Sequence, residues 1–461
     1  MFAVGYGANQ FVPLLAVYRS SLHLSDAEAT AIFGVYALGL IPGLLLGGWA
    51  SDRYGRRPLM LGFAALSLLA TTVLITGRWG AGGLYAGRLL TGVVSGTVFT
   101  VGTAWVKELS EGSPAGAGAR RAALALTGGF GVGPLVAGLS LLATAVLITG
   151  RWGVGGLYAG RLLTGVVSGT VFTVGTAWVK ELSEGSPPGT GARRAALALT
   201  GGFGVGPLVA GLLARWAPAP EVLPYVVHLA LAGTALALLR RAPETRPPGS
   251  PPGRRPRLLP VSASSIRFRR VVLPLGPWVF GSVTLVFTTL PAHGARPVGV
   301  LGVAFPGLLA AVSLAAGFAV QPWGRRLHTR AAAAGGAGAP AVSLGVVTMG
   351  CLAAAGTTAH PGLLPVISAA LLLGAGYGLC LIVGLREVEQ LAAPEELGAV
   401  VALFYSLAYS GLAVPYLLAL AAPHLGYPSA LLVTAGAATL TLIVVLLGAG
   451  RQPLPVPGTP R

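Results

Sequence analysis

A small set of polar and aromatic side chains interrupts the long apolar segments of this sequence, and these groups could bind a small molecule or carry a proton. The set comprises Asn9, Gln10, Arg88, His228, Tyr405 and Tyr409. A charge inside a membrane-spanning helix costs about 2.5–3.5 kcal/mol, so Arg88 should face a polar cavity unless it reaches the outer interface near Arg78. We expect His228 to be a titrating group or a hydrogen-bonded packing residue. The amides and tyrosines should either line a cavity or bond between helices.

The acidic residues point away from enzymatic chemistry. All 13 lie in predicted loops or at the ends of predicted spans, so no carboxylate inside a span is available to carry a proton. Glu387 and Glu389 belong to this loop group, and we expect them to be solvated or paired. Cys351 and Cys380 lie singly in apolar runs and imply neither a disulfide nor a metal site. With no nucleotide-binding loop and no metal cluster, the sequence predicts no cofactor and no enzyme.

The composition is that of an all-α polytopic membrane protein. Of 461 residues, 54% are hydrophobic and only 10% are charged, and the mean hydropathy is +0.76. The net charge of +18 does not indicate a nucleic-acid partner, because the basic residues stand in short groups between apolar runs. Five of the 31 lysines and arginines fall on predicted outer loops, namely Arg19, Arg78, Arg151, Arg215 and Arg296. Two fall within predicted spans, Arg88 and Arg161, and all the others fall on predicted cytoplasmic loops. This bias predicts cytoplasmic termini and contact with anionic lipid.

A charged segment between two apolar runs carries the most informative motif, Gly48-x-x-x-Asp52-Arg53-x-Gly55-Arg56-Arg57. Uncharged runs flank it, so we expect a tight cytoplasmic turn between two membrane-spanning helices. The segment resembles the signature loop of the Major Facilitator Superfamily of secondary transporters, although Ala50 stands where that pattern usually has Leu. The resemblance implies a gating or conformational role for Gly48, Asp52, Arg53, Gly55, Arg56 and Arg57. Asp52, paired with a nearby arginine, is the best candidate for a gating charge.

Two further motifs resemble the same family. Arg88 followed by Gly92 resembles its motif in the fourth span. Small residues at a spacing of four, with a proline, resemble its antiporter motif in the fifth span and occur twice, as Gly129, Gly133 and Pro134 and again as Gly202, Gly206 and Pro207. The second motif favours export, and the alternative is simple close packing of helices around small residues.

Part of the chain is repeated almost without change. Residues 139–211 copy residues 66–138, with differences only at Thr72/Ala145, Ala81/Val154, Ala115/Pro188 and Ala117/Thr190. A match this close indicates a recent tandem duplication or an assembly error. The insertion adds one hairpin, so the sequence predicts about 14 transmembrane helices where the family resemblance implies 12. If the first copy of the fourth span and the second copy of the fifth take the native places, the extra hairpin lies outside the bundle.

The expected architecture has two helical bundles. Residues 1–240 form an N-terminal bundle that includes the repeat, 241–270 a cytoplasmic linker, 271–450 a C-terminal bundle and 451–461 a cytoplasmic tail. In the second bundle we expect six spans, near 271–292, 298–320, 339–358, 362–385, 397–421 and 427–449. The linker is rich in arginine and proline, and we expect it to be a disordered hinge.

We therefore expect a monomeric transporter of the bacterial plasma membrane. It would move a small hydrophobic or amphipathic molecule by alternating access and couple efflux to protons, as two bundles rock about a shared site. The alternatives are an uptake symporter of the same fold and a non-transporting membrane protein disabled by the duplication.

The predicted topology can be tested by labelling single cysteines. In a chain in which Cys351 and Cys380 are replaced by alanine, a membrane-impermeant maleimide should label Ser250→Cys only after permeabilisation, because the linker is expected in the cytoplasm. Ala295→Cys, in a predicted outer loop, is the control and should react in intact cells. Labelling of Ser250→Cys in intact cells would contradict the assignment.

Overall fold

The structure is a computed structural model that describes residues 2–54, 56–75, 190–241, 260–294, 302–333, 338–393 and 396–449. Within these ranges all regular elements are helices. They are α1 (Phe2–Asn9), α2 (Phe11–Ser21), α3 (Asp26–Tyr54), α4 (Arg56–Ile75), α5 (Thr190–Trp216), α6 (Leu223–Leu239), α7 (Leu273–His293), α8 (Ala304–Ala333), α9 (Gly338–Ala359), α10 (Leu363–Leu391), α11 (Leu397–Ser410), α12 (Val414–Leu425) and α13 (Tyr427–Ala449). Short 3-10 turns at Val261–Ser264 and Gly411–Ala413 and a π-helical turn at Phe268–Val272 join them.

The chain divides into two compact units. The first unit comprises Met1–His23 with Ile32–Pro256, and the second comprises Leu24–Ala31 with Arg257–Arg461. Within the described residues of the second unit, six helices are long and apolar enough to cross a membrane. The predicted spans between residues 76 and 189 lie outside the described residues.

The predicted first span is broken in the middle. α1 ends at Asn9 and α2 begins at Phe11, with Gln10 between them. Pro13 explains the break, because a proline has no N–H to donate to the carbonyl four residues earlier, here that of Asn9, and its ring crowds that carbonyl. Gln10 itself keeps helical dihedrals, with φ −53° and ψ −24°, and its N–H still donates to the Tyr6 carbonyl at 2.9 Å, so the chain continues in nearly the same direction.

The motif segment from Gly48 to Arg57 is helical where the sequence predicted a turn. α3 continues to Tyr54 and α4 starts at Arg56, so Gly55 alone, outside the described residues, separates the helices. At 1.5 Å per residue, the 29 residues of α3 extend about 43 Å, which exceeds a hydrocarbon core of about 30 Å. The charged end can therefore stay helical, because it lies beyond the apolar layer.

In the first unit, α5 packs directly on α1 through glycines. A methyl group on Gly206 would lie 2.6 Å from the carbonyl oxygen of Tyr6 and 2.9 Å from its Cα, and one on Gly202 would collide with the Phe2 carbonyl. Gly202 and Gly206 stand one turn apart on the same face, so the two backbones touch along that face. Residues 190–211 of α5 form the end of the second copy of the repeat, and the matching residues 117–138 of the first copy lie outside the described residues.

The second unit has the same kind of contact between α7 and the end of α11 with the 3-10 turn that follows it. A methyl group on Gly411 would lie 2.5 Å from the backbone nitrogen of Gly281 and would collide with the Pro277 carbonyl, and one on Gly276 would lie 2.8 Å from Leu407 Cβ. In each unit, therefore, the first span lies in glycine-mediated contact with the fifth.

Two bounds in the second unit differ from those predicted. The span expected at 298–320 is α8, Ala304–Ala333, whose C-terminal part holds Arg325 and Arg326 as exposed helical residues. The span expected at 362–385 extends to Leu391, so Glu387 is helical. Both helices run past the apolar layer because charged residues outside the lipid can remain helical.

Residues 24–31 belong to the second unit through the first turn of α3. The Tyr427 hydroxyl donates a short hydrogen bond to the Asp26 carboxylate, and His293 Nε2 lies 3.0 Å from the same oxygen. The rings of His293 and Tyr427 stack with centroids 3.6 Å apart. The turn is closed by Ser25, whose N–H and hydroxyl donate to Glu28 at 2.9 and 2.7 Å. These bonds hold the pKa of Glu28 below its usual value, and the bond from the Ser25 N–H has the larger effect.

The contact between α1 and α5 predicts opposite effects for two neighbouring glycines. Gly206→Ala should lower the free energy of unfolding by about 1–3 kcal/mol, because its methyl group meets the Tyr6 backbone. Gly204→Ala is the matched control, since no atom lies within 4 Å of its added methyl group. It should leave stability unchanged or raise it by up to about 1 kcal/mol through helix propensity. Thermal and denaturant unfolding of the detergent-purified protein measures both.

The repeat supplies a second control for this experiment. Gly133 is the counterpart of Gly206 in the first copy. If α5 is the segment that packs on α1, Gly133→Ala should be far milder than Gly206→Ala. Equal losses for Gly204→Ala and Gly206→Ala, or a larger loss for Gly133→Ala, would contradict the packing.

Candidate functional site

A buried histidine lies at the centre of the polar cluster in the first unit. His228, on α6, is fully buried, and its Nδ1 lies 2.7 Å from the hydroxyl oxygen of Thr71 on α4. The Thr71 hydroxyl also lies 2.9 Å from the carbonyl of Ser67, so its one hydrogen serves either that carbonyl or Nδ1 of His228.

The Nε2 edge of this ring faces α1. The Tyr6 and His228 rings are nearly parallel, with an interplanar angle of 9° and centroids 6.1 Å apart. Gly7 gives the histidine its room, because a methyl group there would collide with Nε2 and would lie 2.6 Å from Cε1. The lack of a side chain at Gly7 thus lets the imidazole reach the backbone of α1.

Several polar atoms of this cluster are buried without a hydrogen-bond partner. In the part of the chain that the structure describes, these include the Tyr6 hydroxyl, both amide atoms of Gln10 and Nε2 of His228. Tyr6 is 1% exposed, and Gln10 and His228 are 0% exposed. An unpaired buried group costs about 1–3 kcal/mol, so such a concentration is unusual for a purely structural interior.

The other polar residues near the break are bonded within the unit. The Asn9 amide nitrogen lies 3.5 Å from the Phe203 carbonyl on α5, at the limit of a hydrogen bond. The hydroxyls of Tyr18 and Tyr225 lie 3.1 Å apart. Asn9 and Gln10 were predicted to act together, but their side chains have different surroundings. Asn9 bonds to a neighbouring helix, and Gln10 is buried beside Tyr6.

Of the signature segment, the structure describes the contacts of one side chain. Arg57 donates to the Arg240 carbonyl at 2.6 Å, at the end of α6. A guanidinium at a helix C-terminus satisfies a free carbonyl and complements the helix dipole. The backbone at Gly48, Asp52, Arg53 and Arg56 is helical, but their side chains lie outside the described residues, as do Gly55, Arg88, Gly129, Gly133 and Pro134. Pro207, next to Gly206, is buried in α5.

An aromatic cluster lines the interior of the second unit. Phe280 on α7 stacks on Tyr409 of α11 with centroids 4.3 Å apart, and its ring lies 5.7 Å from that of Tyr377 on α10. Tyr405, one turn from Tyr409, is half-buried, and its ring lies 5.9 Å from that of Phe404. The two predicted tyrosines therefore lie on the same helix, and α7 and α10 add Phe280 and Tyr377, which the sequence analysis did not select.

A buried ion pair at one end of the second unit was also missed. Arg267 binds Glu387 in a bidentate manner, at 2.7 and 2.8 Å, and His328 Nε2 lies 3.2 Å from the same carboxylate. All three side chains are at least 95% buried. Glu387 was counted as a loop acid, but Val383, Gly384 and Val388 are buried on the same face of α10. That helical spacing is the signal that could have identified it.

The end of the predicted linker is ordered rather than disordered. Residues 260–270 form the 3-10 turn and the start of the π-helical turn. The Glu396 carboxylate accepts from the N–H groups of Val261 and Ser262 at 3.0 and 2.9 Å, and from the Ser262 hydroxyl at 2.7 Å. These bonds hold the segment before α7 in place, which positions Arg267 for Glu387.

Two neighbouring acids make the ion pair testable. Glu387→Ala leaves the buried Arg267 guanidinium without its carboxylate and should cost about 3–5 kcal/mol of unfolding free energy. Glu389→Ala removes the partner of Arg386, in a pair whose side chains are 46% and 49% exposed, and should cost at most about 1 kcal/mol. Thermal unfolding in detergent compares the two variants. A loss for Glu387→Ala no larger than that for Glu389→Ala would exclude the buried pair.

Comparison with known proteins matches this chain with one family along most of its length. The family model described as "Major Facilitator Superfamily" matches residues 1–142 and again residues 118–414. The two matches overlap over residues 118–142, which lie across the junction of the repeat.

Local sequence relatives carry different names. The chain is 33% identical over 109 residues to the bovine "Solute carrier family 2, facilitated glucose transporter member 8", covering 24% of this chain and 23% of that protein. It is 43% identical over 65 residues to the Escherichia coli K12 "3-(3-hydroxy-phenyl)propionate transporter", covering 13% and 15%. With E. coli "Multidrug resistance protein MdtL" it shares 29% over 102 residues, covering 22% and 26%. The chain therefore spans about a quarter or less of these relatives' lengths.

Solved structures resemble the whole fold. The inward-open xylose transporter XylE of E. coli superposes with a TM-score of 0.60 at 15% identity, covering 96% of this chain and 92% of that chain. A D-xylose–proton symporter gives a TM-score of 0.58 at 15% identity, covering 98% and 95%. Identities this low support the shared fold and carry no information on substrate.

Proposed function

The chain belongs to the Major Facilitator Superfamily, and from this premise we propose that it is a secondary active transporter of one small hydrophobic or amphipathic class of molecule. It works by alternating access, couples transport to protons and exports its substrate across the bacterial plasma membrane. In this proposal the chain acts as a monomer, needs no cofactor and has both termini in the cytoplasm.

One structural observation carries the proposal. In each unit, the first and fifth spans meet through glycines that allow their backbones to touch, Gly206 with Tyr6 in one and Gly411 with Gly281 in the other. Two halves built on one internal plan favour alternating access, because such carriers work by rocking one rigid helical bundle against the other around a fixed site.

His228 is the proposed proton-carrying group. In the described residues Glu387 is the one buried carboxylate, and Arg267 and His328 already engage it. His228 instead places a titratable ring, fully buried, in the first unit. Protonation there would place a cation against Tyr6 and Gln10, and binding and release of that proton can bias a conformational equilibrium.

The remaining predicted residues receive conformational or binding roles in the proposal. The signature residues Gly48, Asp52, Arg53, Gly55, Arg56 and Arg57 gate the cytoplasmic side, and Arg57 does so by holding the end of α6. Arg88 faces a polar cavity, and Tyr405 and Tyr409 present aromatic surface to the apolar part of the substrate. Gly129, Gly133 and Pro134 and their counterparts Gly206 and Pro207 set the close packing of the fifth span.

Two alternatives have specific support. The local sequence match to facilitated glucose transporters favours the first alternative, an uptake symporter of the same fold. The near-identical repeat favours a chain that no longer transports. Imposing a pH gradient of either sign on proteoliposomes of known protein orientation separates export from uptake, and substrate flux of any kind excludes the inactive chain.

The experiment that tests the proposal follows protons. Proteoliposomes containing the purified protein and the internal pH dye pyranine are given, in turn, ethidium, 3-(3-hydroxyphenyl)propionate or D-xylose. We expect at least one compound to drive protein-dependent proton movement. His228→Asn should abolish uphill, proton-driven accumulation and retain downhill exchange of the same compound, because Asn can still donate to Thr71 but cannot take up a proton.

His360→Asn is the matched control, because His360 is exposed at the end of α9. It should behave as the unaltered protein. Proton-driven accumulation that survives in His228→Asn would remove His228 from the mechanism, and the absence of proton movement with every compound would count against transport.

A further inference from the structure

We propose that Tyr6, Gln10 and His228 form a subsite that binds a neutral hydroxyl or carboxamide group of the transported molecule. The inference rests on the proposed transport function and specifies its substrate class. It assigns the polar end of an amphipathic substrate to the first unit and excludes a carboxylate or an ammonium group as that end.

The first argument is the concentration of unsatisfied groups. Four polar atoms on three side chains, none more than 1% exposed, have no hydrogen-bond partner within the described residues. Elsewhere in the same unit, buried polar groups are bonded, as in Thr71 with His228 and Tyr18 with Tyr225. Leaving buried donors and acceptors unpaired costs folding free energy. Their presence together indicates a binding site, because a bound group can satisfy several of them at once.

The second argument is that the three side chains share one place. Tyr6 and Gln10 stand one helical turn apart, linked by the hydrogen bond from the Gln10 N–H to the Tyr6 carbonyl at 2.9 Å. His228 stacks on Tyr6 and presses against Gly7.

The third argument concerns which chemical group these atoms would complement. The Gln10 amide and the Tyr6 hydroxyl each offer a donor and an acceptor, so a ligand group that both donates and accepts satisfies the most atoms. A carboxylate cannot donate and an ammonium cannot accept, whereas a hydroxyl or a carboxamide does both. All three side chains are uncharged in this state, so an ionic group would be buried here without a counter-charge.

Five probes with the same apolar body test this complementarity. They are 3-phenylpropan-1-ol, 3-phenylpropanamide, 3-phenylpropanoate, 3-phenylpropylammonium and propylbenzene. Binding is read from the thermal shift of the detergent-purified full chain over a concentration series of each probe. The alcohol and the amide should bind the unaltered protein about tenfold or more tightly than the two ions and propylbenzene, since each unmatched polar contact costs about a factor of ten.

Two substitutions should remove that preference. Gln10→Leu and Tyr6→Phe should each weaken binding of the alcohol and the amide about tenfold, while the thermal midpoint without ligand stays equal or rises, because an unpaired buried group is lost. Tyr18→Phe is the matched control: its hydroxyl bonds to Tyr225, so its thermal midpoint should fall and its probe preference should persist.

The outcomes separate the subsite from the transport proposal. Equal binding of all five probes, binding of none, or an unchanged preference in both Gln10→Leu and Tyr6→Phe would overturn the subsite, the last by showing that structural water satisfies these groups. The pyranine assay on the same preparations tests transport independently. Preferential binding of the alcohol and the amide without proton movement would support the subsite and count against proton-coupled transport. Proton movement without that binding preference would support transport and count against the subsite.

Discussion

The bilayer interior offers no water to a polar group, and this constraint governs which side chains the protein can bury. Most described polar groups meet it locally, as Thr71 does by donating to the carbonyl four residues earlier. Charged groups meet it by pairing: Glu387 accepts from Arg267 at two oxygens and also contacts His328. Against this background, Tyr6 and Gln10 are exceptions that lie together beside His228, whereas the Thr348 hydroxyl is a single exception on α9.

The same constraint explains the importance of the glycine contacts. Lipid chains are as apolar as the side chains they contact, so hydrophobic burial does little to hold helices together, and close van der Waals packing replaces it. Gly202 and Gly206 let α5 meet the backbone of α1, and Gly281 and Gly411 do the same between α7 and the 3-10 turn after α11. A glycine on one helix lets the neighbouring helix approach closely, and this close approach sets the positions of the neighbouring helix's polar side chains. His228 reaches α1 for this reason, because Gly7 leaves room for its ring.

The sequence was sufficient to predict features that depend on local patterns. Long uncharged runs predicted the helices of the second unit, and small residues four apart predicted the packing face that Gly202 and Gly206 form. Features that depend on partners distant in the sequence could not be predicted in this way. Arg267 and Glu387 are 120 residues apart, and no local pattern joins a linker arginine to an acid near a helix end. The contact between His228 and Thr71, which are 157 residues apart, likewise has no local signal, because Thr71 resembles an ordinary span residue. The loop expected at Gly48–Arg57 is shorter than predicted, because charge was equated with loop although a helix can continue through charged residues.

The duplicated segment has a consequence for how the first unit assembles. Residues 117–138 and 190–211 differ at one position, Ala117/Thr190, so α1 could dock with either copy through identical surfaces. Affinity cannot discriminate between two such equivalent partners. Chain connectivity can, because α6 follows α5 after a turn of six residues, 217–222, and must bring His228 to Thr71. The earlier copy is synthesised first, so the order of synthesis favours it as the segment that packs on α1. The short connection to α6 favours the later copy instead, and this covalent link decides which copy packs there.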